Sequence, residues 1–358
     1  MRYFPHLLKV RSFFWLFAAL VTILLNAILA RYPDLVEYGY SRGVFLWIRS
    51  GLDGAFGWLP FPMIYLWVMF LLFLLFRIFF SSWRHPLLLV KRMVSLVSVI
   101  VVLFYVLWGF NYQRQPIEHV LGLSPVPLSA DDLCEALEHE TTALQHLFLF
   151  DSTLIPDADL EQLLRKKLYA WSATQQIPVA GRVRAYPIYP DGIFLRFSSS
   201  GLYFPFSGQG QVDAGLHPLE WPWVMSHEMG HGLGYGDEGT CNFLAYLTTT
   251  HSDNPYIRYA GHLSYWRILA GHYRRYRPQD FERILSLLPQ KTLDDLKAIY
   301  AALDKYPDFF PDFRNRMYNA YLKSQGIAEG IQNYNRVLML THAWYQKNGY
   351  QRLSPELK

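Results

Sequence analysis

Charged residues are scarce in this sequence. Only 17% of its 358 residues are Asp, Glu, Lys or Arg, against about a quarter in an ordinary soluble chain. The net charge of +4 is small. No basic stripe interleaved with aromatics is present, which argues against a nucleic-acid partner. Cysteine is scarcer still, with only Cys134 and Cys241. That excludes a disulfide framework; an oxidising compartment permits one bridge, and spacing alone does not show that the two thiols are near. Cys134 falls in an amphipathic segment and reads as a small buried apolar residue. Internal repeats and low-complexity tracts are also missing.

The missing charge is replaced by apolar surface. Hydrophobic residues make up 52% and aromatics 17%, with the imbalance concentrated in the first third of the chain. Ser12 to Ala30, Pro62 to Phe76 and Met93 to Phe110 carry no charge, and the second run stays apolar to Phe80 past Arg77. Each approaches the ~17–25 residues that cross a bilayer. Trp15, Trp58, Trp67, Trp83, Trp108 and Tyr112 mostly lie near the ends, as an interfacial belt requires. The first run is longer than the ~7–15 residues of a signal-peptide core and lacks a small-x-small site after it. The expectation is three transmembrane helices, near 12–31, 62–81 and 92–110, in a membrane domain 1–112. Between the first two, Val44 to Ile48 and Gly51 to Trp58 suit either an interfacial amphipathic segment or a packed helix.

Lys and Arg set the orientation. Arg2, Lys9 and Arg11 precede the first span, and Arg77, Arg84, Lys91 and Arg92 join the second to the third. Arg31, Arg42 and Arg49 are spread over a longer loop. The bias places the N-terminus in the cytoplasm and residues 113–358 outside it.

In that second domain, Ser129 caps a helix beginning near Ala130, and another starts near Asp157. Arg182 to Ile188, Ile193 to Phe197 and Leu202 to Phe206 read as short strands. Gly201 to Phe206 suits an edge strand able to hold a peptide backbone, with Pro205 tolerated there. From Asn242 onward the pattern is helical. The expected class is therefore membrane α-helical plus α+β, mainly α.

The chemistry lies in His227-Glu228-Met229-Gly230-His231. Two histidines four apart on a helix share one face and can reach one metal ion, while the intervening glutamate can address a metal-bound water. Composition alone yields this pattern about once in seventy such chains. His139-Glu140 starts the same pattern and fails at Ala143. Context supports the later one: Pro222 suits a first helical turn, Trp223, Val224, Met225 and Met229 supply an apolar body, and Gly232, Gly234 and Gly236 stop the helix. An active-site helix near 221–233 follows.

Catalytic zinc takes three protein ligands and a water. His227 and His231 supply two. For the third, Glu238 at the start of the next helix gives a His₂Glu set. Asp237 is the alternative, because His227 to Asp237 reads H-E-x-x-H-x-x-G-x-x-D. His251 and His262 are more distant candidates. Glu238 and Asp237 are also ordinary helix-start residues. Glu228 is the candidate general base, and Tyr259, His262 and Tyr265 are candidate oxyanion donors.

The three apolar runs, Trp108-Gly109-Phe110-Asn111-Tyr112, Gly201 to Phe206, the His-Glu helix, Asn242 to Leu247, Tyr321-Leu322-Lys323 and Gly330 to Tyr334 resemble the bacterial membrane proteins grouped as domain of unknown function 3810. The resemblance covers nearly the whole chain. It implies a bacterial multipass inner-membrane protein with a gluzincin-like domain and names no substrate. Where that family usually reads E-x-E-A-N-F, this chain has Glu238-Gly239-Thr240-Cys241-Asn242-Phe243, so the second acidic position is Thr240. The functional expectation is a zinc metallopeptidase acting on envelope or extracytoplasmic peptides or proteins. The alternatives are an inactive zincin-fold scaffold, an envelope-binding protein, or a zinc hydrolase of other amides or esters.

Overall fold

The computed structural model describes residues 4–147, 157–327 and 335–349. The chain folds into two compact units. The first comprises Met1–Gln115 with Phe204–Gly208, and the second Pro116–Tyr203 with Gln209–Lys358.

The first unit is helical. It contains α1 (Phe4–Leu29), α2 (Pro33–Leu35), a π-helical segment over Val36–Val44, α3 (Phe45–Phe56), α4 (Ile64–Ser82) and α5 (Pro86–Leu107). Among the described residues, two helices, α4 and α5, are long and apolar enough to cross a membrane. The first apolar run is one helix followed by a sharp corner. Phe13–Leu29 and Pro33–Phe56 form a pair bent by 112°, so three crossings result if that pair counts as one. Polar groups explain the corner. Glu37 is fully buried and accepts from Arg114 Nε at 2.8 Å and Arg42 Nε at 2.7 Å, while Ser41 Oγ donates to Asn111 Oδ1 at 2.8 Å. A buried carboxylate needs such partners. The segment Val44 to Trp58 is thus mostly helix. Trp67 packs on Phe206, with centroids 5.6 Å apart.

The second unit is mainly helical around a three-stranded sheet. Its elements are α6 (Ile117–Leu121), α7 (Ala130–Leu147), α8 (Asp157–Thr174), β1 (Arg184–Ile188), β2 (Gly201–Phe204), β3 (Gln209–Asp213), α9 (Trp221–Gly232), α10 (Glu238–Thr250), α11 (Pro255–Tyr276), α12 (Pro278–Ser286), α13 (Gln290–Leu303), α14 (Pro311–Ser324) and α15 (Arg336–Asn348). Ser129 opens α7 with a reciprocal cap: Asp132 N donates to Ser129 Oγ, and Ser129 N to Asp132 Oδ2. The segment 328–334, which includes Gly330 to Tyr334, lies outside the described residues.

The sheet order is β1-β3-β2, with β1 parallel to β3 and Arg184 opposite Gln209. β2 is an edge strand and stops before Pro205. The expected strand at Ile193 to Phe197 is instead a turn and a 3-10 helix. Asp213 explains this: its carboxylate accepts from the backbone N–H groups of Gly192, Phe194, Leu195 and Gly215, curling the segment around itself. β3 has no counterpart among the expected strands. Gln-Gly-Gln-Val-Asp has one β-branched residue, yet all five positions are buried.

Candidate metal centre

α9 begins with Trp221-Pro222, where a missing N–H costs nothing. It ends in a Schellman turn: Gly234 N donates to His231 O at 2.9 Å and Tyr235 N to Gly230 O at 3.3 Å, with Gly234 at φ +85°. This turn folds the chain back, so the Tyr235 carbonyl accepts from His231 Nδ1 at 2.8 Å. α10 then starts under the Asp237 cap, whose Oδ1 accepts from Thr240 N. Gly230 permits the close approach of the two helices; a Cβ there would lie 3.2 Å from the Cys241 backbone.

The result is a cluster of His227, His231 and Glu238. Their ligand atoms lie within 4.8 Å of one another, and all three residues are buried. Among the described residues it is the one such group of three or more His, Cys, Asp or Glu. Glu238 Oε2 is 3.0 Å from His227 Nε2 and 3.6 Å from His231 Nε2. These distances bracket the ~3.3 Å edge of a tetrahedron with bonds near ~2.05 Å, so the donor set fits a zinc ion in spacing and ligand type.

The surrounding hydrogen bonds fix the tautomers. Asn242 Oδ1 is 2.9 Å from His227 Nδ1 and also accepts from Trp223 Nε1 at 3.2 Å. An indole N–H only donates, so this atom is the oxygen and His227 Nδ1 carries the proton. The Tyr235 carbonyl likewise makes His231 Nδ1 a donor. Both Nε2 atoms therefore face Glu238, the arrangement in which outer partners orient metal-binding imidazoles. Tyr318 Oη donates to Glu238 Oε1 at 2.7 Å.

The charges respond to this packing. Burial opposes ionisation of Glu238, yet His231 and His227 beside it hold its carboxyl well below the usual range. Burial disfavours a charged His231, but the adjacent Cys241 sulfur and Glu238 lift it well above its ordinary value. Burial pushes Glu228 up to about 7, against the pull of His231 and His227 and with a push from Glu238.

Glu228 is 4% exposed, and its Oε2 has no hydrogen-bond partner. It rests on two glycines. A Cβ at Gly201 would stand 2.6 Å from Glu228 Oε1, and one at Gly210 would stand 2.5 Å from Glu228 Cβ. Only bare backbone on β2 and β3 leaves room for this side chain.

Asp237 is engaged elsewhere, capping α10 and pairing with Arg336 at 3.0 Å. His262 Nδ1 donates to Glu140 Oε2 at 2.6 Å, and His251 lies against Thr250 Oγ1 at 3.0 Å. Tyr259 donates to Asp295 at 2.7 Å, and Tyr265 stacks on Trp223. None of these joins the cluster. Thr240 Oγ1 is buried without a hydrogen bond, and Glu238, not position 240, reaches the histidines. Cys134 and Cys241 are both free thiols. Asn242, Tyr318, the Tyr235 carbonyl and the two glycines join the site only through the fold. Of these, Asn242 and Gly201 have a signal in sequence, in the Asn-Phe motif and in the Gly201 to Phe206 strand.

Together these features define a chain with apolar helices fit to cross a membrane and a second unit holding a buried His–His–Glu cluster. Residues 40–341 match the profile of a protein of unknown function (DUF3810), and the chain belongs to that family. No curated protein and no solved structure matches it.

Proposed function

We propose that this chain is a membrane-anchored zinc metallopeptidase of gluzincin-like type, hydrolysing peptide bonds of envelope or extracytoplasmic substrates. In this reading it sits in the bacterial inner membrane, N-terminus inside and second unit outside. The observation that carries the reading is Glu228: a buried carboxylate with an unpartnered Oε2, next in sequence to a histidine of the cluster.

His227, His231 and Glu238 would hold the ion, which supplies Lewis-acid polarisation of a carbonyl and lowers the pKa of water toward ~7. The remaining steps belong to the protein. Glu228, held near neutrality by burial, takes the proton of the attacking water on its free oxygen. It then delivers that proton to the leaving amine, so the O–H, C–O and C–N changes balance. Asn242 and Tyr235 keep both Nδ1 positions protonated and both Nε2 lone pairs directed inward. Burial of the cluster keeps bulk water away and strengthens each charge interaction.

Thr240 in place of an acidic residue favours an inactive scaffold. Glu238 supplies a carboxylate from the first turn of the same helix, which weakens that reading. The test is Glu228→Gln in the full chain, assayed on a peptide library. Hydrolysis is expected to fall by at least ~10²-fold with zinc content unchanged. Equal hydrolysis by both proteins contradicts the mechanism.

A further inference from the structure

We propose that Tyr318 is a positioning residue of the metal centre, one that makes Glu238 a one-oxygen ligand. The inference rests on the zinc reading above and concerns which coordination number the site enforces.

A buried carboxylate has two equivalent oxygens and, facing a cation, can give one or both. Here the two are distinguished. Oε2 faces both imidazoles, and Oε1 accepts the Tyr318 hydroxyl at 2.7 Å. Glu238 is 4% exposed, so bulk water is not at hand to replace that donor. A hydroxyl bonded to Oε1 lowers its electron density and resists rotation of the carboxylate plane. Glu238 is thereby kept from turning edge-on to an ion. Three single-atom ligands leave a fourth position open, which is the catalytic rather than the structural form of a zinc site. A two-oxygen Glu238 would add a donor and, with the water in that position, raise the coordination number to five.

The source of the hydroxyl is informative. His227 and His231 take their partners from α10 and the α9–α10 turn, which are local in sequence. Tyr318 comes from α14, 80 residues beyond Glu238. Leu322 on α14 and Gln325 just past its end are both buried, and Tyr321 stacks on Tyr318 with planes 24° apart. The Tyr318 ring is thus held by its own helix while its hydroxyl reaches into the cluster.

The experiment uses the full chain in detergent, stripped of metal and reloaded with Zn(II) or Co(II), as wild type, Tyr318→Phe and Tyr321→Phe. Zinc affinity, measured against a chromophoric chelator, is expected to fall ~10–100-fold in Tyr318→Phe, the usual effect of losing an outer partner. The Co(II) chain is expected to lose visible absorbance in that variant, as four-coordinate cobalt absorbs more strongly than five-coordinate cobalt. Tyr321→Phe should match wild type in both. Thermal unfolding of the metal-free proteins separates loss of fold from loss of ligand geometry, and the cobalt spectrum is read on folded protein. Zinc affinity and cobalt spectrum both unchanged in Tyr318→Phe overturn the proposal while leaving the metal centre standing. A wild-type chain that takes up neither ion overturns the centre itself, and this proposal with it.

Discussion

Glu228 occupies a slot that two glycines leave open, and this makes the slot testable at single residues. Gly201 has an ordinary backbone, so Gly201→Ala adds only a methyl group, but that methyl meets Glu228 Oε1 at 2.6 Å and the Gln211 carbonyl at 2.7 Å. Over-packing of this kind costs about 1–3 kcal/mol. The expected result is a lower melting temperature and a larger loss of hydrolysis than of zinc content; unchanged stability and hydrolysis would show that the slot is not tight. At this scale the sequence is legible where chemistry is local. His227, Glu228 and His231 are a contiguous signature, and Glu238 is seven residues on. Gly201, Gly210 and Tyr318 reach the same place through tertiary folding. One tyrosine among 25 carries no mark of it.

At the scale of elements, the turn between α9 and α10 does two jobs. Gly234 closes the Schellman turn, and the turn aims the Tyr235 carbonyl at His231. Gly234→Ala places a side chain at φ +85° and is expected to cost about 1–2 kcal/mol and weaken zinc binding, read by thermal unfolding and chelator competition. Asp237→Ala, by contrast, removes a cap at a cost of about 1 kcal/mol and is expected to leave one zinc bound. Farther along, α10 presents Tyr246, whose hydroxyl donates to Glu140 on α7 at 3.1 Å. Despite full burial, His262 and His139 hold the Glu140 carboxyl at about 2, below its ordinary 4.5. A depressed carboxylate stabilises the fold above its unfolded value and loses that contribution as pH falls through its folded one. Stability on the order of 3 kcal/mol is therefore expected to disappear between about pH 4.5 and 2, and Glu140→Gln should flatten that loss in acid unfolding curves. Helices with capped ends and apolar faces are legible from sequence. β3 is hidden by its glutamines, and the 193–197 segment has a strand-like pattern that Asp213, outside its own window, overrides by taking up its backbone N–H groups.

For the whole molecule, the apolar first third and the helical remainder are legible from composition alone, because both depend on sums over many residues. The bend of 112° that follows the first run is not, since the corner is lined by contacts among Glu37, Arg114, Ser41 and Asn111 that are distant in sequence. The proposed orientation predicts that a reporter enzyme active only outside the cytoplasm works when fused after Lys358; a silent reporter, with an active cytoplasmic one at the same place, reverses the topology. The proposed catalysis, ligand geometry and role of Glu228 all depend on the ion. Metal analysis of the purified full chain is therefore the most direct test. About one zinc per chain is expected in the wild type, with loss of that zinc in His227→Ala and in Glu238→Ala. A well-folded wild-type chain without stoichiometric zinc, or variants that retain it equally, would contradict the His227–His231–Glu238 centre.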